Sequence, residues 1–304
     1  MHVNLTLART VAAIGAGALL LTGCGSGTVT ATPGSPADLR ARVPKAFKNA
    51  GVLKIGSDLN YAPVDFRGQN AEPAGLDPEL AAALGNLLGL RVEFVDMPFE
   101  KLIPALQAKQ IDLVMAAVID TQQRQRGVDD NGQQVNPGVD FVDYYVTGTS
   151  LLVQAGNPLG ITTLDGLCGH TIAMQRGTIQ AEMAQRQTVA CGRAAKPLTI
   201  HLRDTDAQAL AEMAAGTAVA DLVDYPVAEY NLHSQQWAGR FAVAGSQHQV
   251  GPYGITVDKG NGGLRDALAK ALDVLIRNGE YGKILAKWNL QAGAIQSAVI
   301  NSGL

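Results

Sequence analysis

The sequence predicts an α/β fold built on mainly parallel sheets, and three observations predict it. From residue 50 onward, short apolar strands alternate with amphipathic helices. Residues 111–118 are apolar but for one Asp, as expected of a strand buried on both faces of a parallel sheet. The chain has 304 residues, 47% hydrophobic and 17% charged, enough for two modest domains and a sizeable core. Aromatics are only 5%, so Leu, Val, Ile and Ala must fill that core. A formal charge of −3 gives no electrostatic reason to expect nucleic acid as a partner.

In order, residues 52–57 read as a strand and 78–88 as a helix with Leu80, Leu84, Leu87 and Leu88 on one face. Asp77 suits the N-cap, Pro78 the first helical position and Gly89 the stop. Residues 90–95 alternate as a strand, 100–109 form a helix kinked or started at Pro104, and the buried strand 111–118 follows. The second half repeats the habit. Strands are expected at 150–154, 171–175, 198–203, 219–224 and 254–258. Helices are expected at 178–186, from a Thr205–Gln208 capping box to Gly216, and at 226–232. Asn261 caps a helix over 262–278 with Leu264, Leu268, Leu272, Leu275 and Ile276 inward, and a last helix runs through 281–288. Residues 291–304 read as a loosely ordered tail.

The start of the chain follows another logic. The apolar run 11–21 is too short to span a bilayer, and Arg9 precedes it, as in a secretory signal. It ends in Leu21-Thr22-Gly23-Cys24, which resembles the bacterial lipobox, where a lipid is attached to the Cys thiol and cleavage precedes it. Residues 1–23 are therefore expected to be a lipoprotein signal peptide, and 24–49 a lipid-anchored tether rich in Gly, Ser, Thr, Ala and Pro at its start. Cys168 and Cys191 remain. In an exported protein the oxidising compartment favours a disulfide between them over two free thiols or half a metal site.

Ligands of parallel sheets bind beyond the carboxyl ends of the strands. That rule selects Asp58 and Tyr61 after the first strand, residues 120–124 after the fourth element, residues 175–178, and Asp224. Each has a plainer reading: Asp58 as a turn residue, Tyr61 as a loop anchor, Thr178 and Asp224 as helix caps, Arg124 as part of a solvated helix face. No Gly-rich phosphate loop, Gly-x-Ser-x-Gly or His-Glu-x-x-His is present, and the five His are scattered. Neither a metal site nor a cofactor is expected.

The same residues carry a resemblance. Leu53-Lys54-Ile55-Gly56-Ser57-Asp58, Gly75-Leu76-Asp77-Pro78-Glu79-Leu80, Phe99-Glu100-Lys101-Leu102, Asp140-Phe141-Val142-Asp143-Tyr144-Tyr145, Gln175-Arg176-Gly177-Thr178 and Asp224-Tyr225-Pro226 follow one another in a collinear order. From about residue 51 to 290 the chain resembles the polar-amino-acid branch of the periplasmic solute-binding proteins. That resemblance implies two α/β lobes joined by two crossing strands, with lobe 1 from 50–148 plus 252–290 and lobe 2 from 149–251. It implies a lipid-anchored, monomeric binding protein on the extracytoplasmic face of the membrane, serving the permease subunits of an ABC importer. The ligand is a polar L-amino acid, glutamine or a basic one, held between the lobes. Arg124 would take the α-carboxylate with main-chain N–H groups near Thr178 and Ile179. Asp224 would take the ammonium, Tyr61 and Phe99 would flank the side chain, and Asp58 would reach its end. Gln175 and the main chain of Ala117 and Ile119 complete the site. Ile119 stands where the family usually offers a hydroxyl, and Arg176 adds a charge near the cleft. The segment 127–138 reads as a polar insertion. The resemblance also admits a dehydratase-like enzyme on this scaffold, or a partner that presents ligand to a membrane receptor; the absence of catalytic motifs favours a protein that is not an enzyme.

Overall fold

The computed structural model describes residue 32, residues 34–129 and residues 131–304. The signal peptide and Cys24 lie outside the described residues.

Two short helices open the described chain, α1 (Pro36–Arg42) and α2 (Lys45–Ala50). The expected tether 24–49 is thus helical in its second part. Ser35 accepts from the Asp38 N–H to cap α1, and Leu39 and Val43 are buried in the first core. Two buried side chains in adjoining turns make this stretch part of the folded body.

Strand β1 (Val52–Ser57) leads into a small sheet of β2 (Asn60–Tyr61), β3 (Asp65–Arg67) and β4 (Pro73–Ala74). Helix α3 (Leu76–Leu88) is capped by Gly75 rather than by Asp77. Asp77 lies inside the first turn and is fully buried. It accepts from the Tyr144 hydroxyl (2.6 Å) and from the Ala117 N–H (3.1 Å), so its role is to tie the helix to the sheet behind the cleft. Next come β5 (Arg91–Asp96), a 3₁₀ turn at Phe99–Lys101, α4 (Leu102–Gln107) and β6 (Leu113–Val114). Pro104 falls in the first turn of α4, where its missing N–H has no intrahelical partner to lose. The expected strand 111–118 is short because the chain leaves the ladder after Val114. Ala117 takes φ +53° and gives its N–H to Asp77, turning the segment along the cleft.

Helix α5 (Gln122–Arg126) precedes β7 (Val139–Gln154), a 16-residue strand that contains the shorter strand expected at 150–154. Strand β8 (Thr171–Gln175) feeds α6 (Ile179–Arg193), and β9 (Thr199–Arg203) feeds α7 (Asp206–Ala215), where the Thr205–Gln208 capping box forms. Strand β10 (Ala220–Asp224) feeds α8 (Tyr225–His233). Strand β11 (Phe241–Asp258) is followed by α9 (Gly262–Arg277) and α10 (Glu280–Lys287). Leu264, Leu268, Leu272 and Leu275 form the buried stripe of α9, while Asn261 makes no side-chain cap bond. The chain closes with β12 (Val299–Ile300), which pairs with β7. The expected loose tail is therefore bound to the body by a strand pair.

Among the described residues the main sheet runs β5-β1-β6-β11-β7-β10-β8-β9. On one side β1 pairs in parallel with β5 and β6; on the other β8 pairs in parallel with β9 and β10. The long strands β7 and β11 run antiparallel to each other between these groups and belong to both. The result is two α/β lobes joined by two crossing strands. The β7–β11 ladder is regular at its ends, with register shifts between Ala244 and His248, His248 and Gly251, and Tyr253 and Gly254.

Cys168 and Cys191 form a disulfide with Cα atoms 5.0 Å apart, as expected. It ties the segment after the Leu164–Leu167 turn to the last turn of α6, where Cys191 is fully buried. The polar segment 127–138 folds back on itself through a Val128–Gln134 bridge, and Gln134 donates to the main-chain oxygens of Arg126 and Asn136.

Candidate functional site

The carboxyl ends of β1 and β10 face each other across a cleft, and each ends in a buried aspartate. From β1, Asp58 accepts from Asn60 Nδ2 (2.8 Å) and, across the cleft, from Gln175 Nε2 (2.6 Å). Burial pushes its carboxyl above the usual range, while Asn60, Gln175 and the Phe99 N–H hold it down. From β10, Asp224 accepts from Gln180 Nε2 (2.7 Å) and, across the cleft, from the Tyr61 hydroxyl (3.0 Å). Burial pushes Asp224 up to about 6, against the hydroxyls of Tyr61 and Tyr253, the Gln180 amide and the Arg124 charge. Each wall thus supplies the neutral donor for the other wall's acid.

Arg124 projects from α5. Its Nη1 donates to the Ile119 carbonyl (2.8 Å) and its Nη2 to the Gly177 carbonyl (3.3 Å). Its guanidinium stands 5.8 Å from the centre of the Phe99 ring, a cation–π distance. Burial lowers its pKa, and the charges of Glu182, Asp224 and Asp120 raise it again. Ile119 has no hydroxyl to offer, but its main-chain oxygen orients the guanidinium. Thr178 caps α6 by accepting from the Ala181 N–H (3.1 Å), which sets the start of that helix against the cleft.

All ten residues expected at the site line one cavity: Asp58, Tyr61, Phe99, Ala117, Ile119, Arg124, Gln175, Thr178, Ile179 and Asp224. Little space is left between these side chains, about 20 Å³, and the walls are hydrogen-bonded across it. Sequence reasoning missed Asp65, Ala116 and Gln180. Gln180 lies two residues beyond Thr178 in the first turn of α6, so its position was readable from the predicted helix start. Asp65 was not readable: it reaches the cleft only through the small β2-β3-β4 sheet, where Ser57 Oγ donates to it (2.7 Å). Burial and the neighbouring Asp77 push Asp65 well above the carboxylate range. Arg176 does not line the cavity; it pairs with Asp204 at 3.0 Å.

A sequence profile of the bacterial extracellular solute-binding proteins, family 3, matches residues 53–291. The arginine-binding protein ArgT of Corynebacterium glutamicum is 26% identical over 266 residues, covering 87% of this chain and 83% of that protein. The arginine-binding extracellular protein ArtP of Bacillus subtilis is 29% identical over 237 residues, covering 78% and 85%. Among solved structures, an ancestral arginine-binding protein bound to arginine superposes with a TM-score of 0.70 at 30% identity, covering 78% of this chain and 98% of that one.

Proposed function

Because this chain belongs to the bacterial extracellular solute-binding proteins, family 3, we propose that its cleft captures a cationic L-amino acid of the arginine class for an ABC importer. The observation that carries this reading is the charge pattern of the cavity. Two buried acids, Asp58 and Asp224, stand against one guanidinium, Arg124. Arginine carries the mirror set: a guanidinium, an ammonium and a carboxylate. Asp65 lines the same cavity with its carboxyl already engaged by Ser57 Oγ, and burial beside Asp77 pushes it well above the usual carboxylate range.

Arg124 holds the α-carboxylate, the planar fork matching it bidentately once its main-chain contacts yield. The start of α6 near Thr178 and Ile179 adds main-chain N–H groups to the same oxygens. Asp224 holds the ammonium. Asp58 faces the side-chain end, with Tyr61 and Phe99 along the stem. Among the described residues the Asp58 carboxylate accepts from the side-chain amides of Asn60 and Gln175 and from the Phe99 N–H. A buried carboxylate without a cation gains most from a cationic ligand. Glutamine would leave that charge unanswered. The names of the arginine-binding relatives support the same class.

The remaining parts of the reading concern the whole protein. The two lobes comprise residues 50–148 plus 252–290, and 149–251. The protein acts as a monomer, held at the outer face of the cell membrane by a lipid on Cys24, and its work is binding rather than catalysis. Calorimetry against the twenty amino acids tests the ligand class. Arginine, lysine and ornithine should bind more tightly than glutamine; a preference for a neutral or acidic amino acid would overturn it. Cys24→Ala should release the protein from membranes, and unchanged retention would reject the anchor.

A further inference from the structure

The family match ends at residue 291, yet the residues after it make close contacts beside the cleft. Val299 pairs with Asp143 and Ile300 with Val142 on β7. Asn301 Oδ1 accepts from the Phe141 N–H (2.7 Å). Ser302 donates through both N–H (3.0 Å) and Oγ (2.5 Å) to Asp143 Oδ2. Gly303 N–H donates to Asp120 Oδ2 (2.8 Å). The Leu304 N–H donates to the Asp120 carbonyl (3.3 Å), and its main-chain oxygen accepts from the Gln122 N–H (2.8 Å). A Cβ on Gly303 would come within 2.5 Å of the Asp120 main chain and carboxyl, so this part of the chain lies flat against Asp120.

We propose that residues 299–304 form a positioning strap that fixes helix α5 and, through it, the guanidinium of Arg124. α5 has only five residues, too few to be stable on its own. The first N–H groups of any helix lack intrahelical acceptors. Here Thr121 Oγ1 accepts from the Arg124 N–H (3.2 Å), and Leu304 accepts from the Gln122 N–H. Asp120, directly before the helix, is held from both sides: its N–H by the Pro252 carbonyl (2.8 Å), its carboxylate by Gly303 and by Gln125 Nε2 (2.8 Å). The strap and strand β11 together therefore set where α5 begins. An Arg on a loosened helix must be ordered by each ligand that binds, and that ordering costs affinity.

The strap is a positioning element, and its effect on ligand rests on Arg124 being the group that binds the ligand α-carboxylate. Two variants test it: truncation after Ile300, and Gly303→Ala, which presses the strap away from Asp120 while keeping every other side chain. The first readout is amide hydrogen exchange at Gln122 and Gln125 in the ligand-free protein. Exchange should quicken roughly tenfold in both variants; unchanged protection overturns the proposal. The second readout is the affinity for L-arginine and for L-arginine amide, in the Arg124 and Arg124→Ala backgrounds. The strap variants should weaken L-arginine roughly tenfold, leave the amide nearly unchanged, and add nothing once Arg124 is gone. Equal weakening of both ligands, or the same added loss without Arg124, would make the strap a general stabiliser and reject the proposal. Should the truncated protein fail to fold, Gly303→Ala decides. A wild-type protein that bound no amino acid would instead reject the ligand reading, and the exchange measurement would still decide the strap.

Discussion

The two walls of the cleft carry equivalent acids but different companions. On the first, Asp58 shares its surface with Tyr61, Phe99 and the cation Arg124. On the second, Asp224 stands with Gln175, Thr178 and Gln180, and none of these is charged. The hydrogen bonds then cross over: Gln175 reaches Asp58, and Tyr61 reaches Asp224. The difference teaches how the labour is divided. The first wall carries both signs and can orient a zwitterion. The second supplies one negative charge and is tied to the first by the bonds across the cleft. A third set of acids behind them serves neither purpose. Asp206 and Asp221 lie close together in the second lobe, and burial pushes both above the usual range, Asp206 to about 7.

Breaking the charge pattern should have the largest effect. Arg124→Ala and Asp224→Ala each leave one ligand charge unpaired in a desolvated site, at about 2–5 kcal/mol. The expected loss is roughly 30-fold to several thousandfold in arginine affinity by calorimetry. Arg124→Lys should also bind poorly, because an ammonium cannot reproduce the fork. If Arg124→Ala retains near-wild-type affinity, the carboxylate lies elsewhere.

Asp58→Asn sharpens the comparison, because it removes one wall's charge while keeping its shape. The arginine-to-glutamine affinity ratio should fall by roughly tenfold or more, since a charged hydrogen bond is worth about 1.5–3 kcal/mol. Glutamine itself should bind about as well as before. An unchanged ratio would place the specificity group outside Asp58.

Acid should weaken the second wall next. Asp224 titrates near 6 in the ligand-free protein, raised by burial from an ordinary value of 3.8. A raised carboxyl costs folding stability that is absent below about pH 4 and complete above about pH 6. The ligand ammonium needs the ionised form, so protons compete with it. Arginine affinity should hold between pH 7 and 8 and fall below pH 6 by up to about tenfold per unit. Titrations across this range check it, and the fall should be shallower in Asp224→Asn, where only Asp58 still loses its charge and binding is weak throughout.

The smallest effect on binding is expected from the disulfide. Replacing Cys168 and Cys191 by Ser opens a link across 23 residues, worth about 3 kcal/mol in the chain-entropy model. Thermal stability should fall, while affinity changes by no more than about twofold, because Thr178 and Ala181 still fix the far end of α6. A large loss of affinity would mean that the second wall depends on its helix being anchored at both ends.

Strand ends and helix starts made most of this site legible. Asp58, Gln175 and Asp224 each sit at or just after the end of a strand, and Thr178 carries a cap that the sequence displays. What stayed hidden depends on contacts between distant segments. Asp77 looks like a helix cap, and only the approach of Tyr144, 67 residues away, shows why it is buried instead. The long strands β7 and β11 looked like short pieces, because their middle residues are polar or Gly where the ladder passes between lobes. The tail gave no periodic signal, since its hold comes from single residues, Asn301 and Ser302, meeting Phe141 and Asp143. Arg124 was ambiguous for a related reason: within its five-residue helix, whose other side chains are Gln and Arg, it is distinguished only by facing Phe99 and Gly177.

The broken register of β11 concentrates the weakest pairing of the two crossing strands in one short span. Between Ala244 and Gly251 the ladder to β7 shifts twice, Gln249 adopts φ +45°, and a third shift follows at Tyr253–Gly254, whereas Phe241–Ala244 and Gly254–Asp258 pair regularly. A two-stranded ribbon bends where fewest rungs resist it, so opening and closing should concentrate in this short span and leave both lobes rigid. Substitutions here should lengthen or shorten the residence time with little change in which amino acid is chosen. The residues that line the cavity and the span of broken pairing occupy separate parts of one chain.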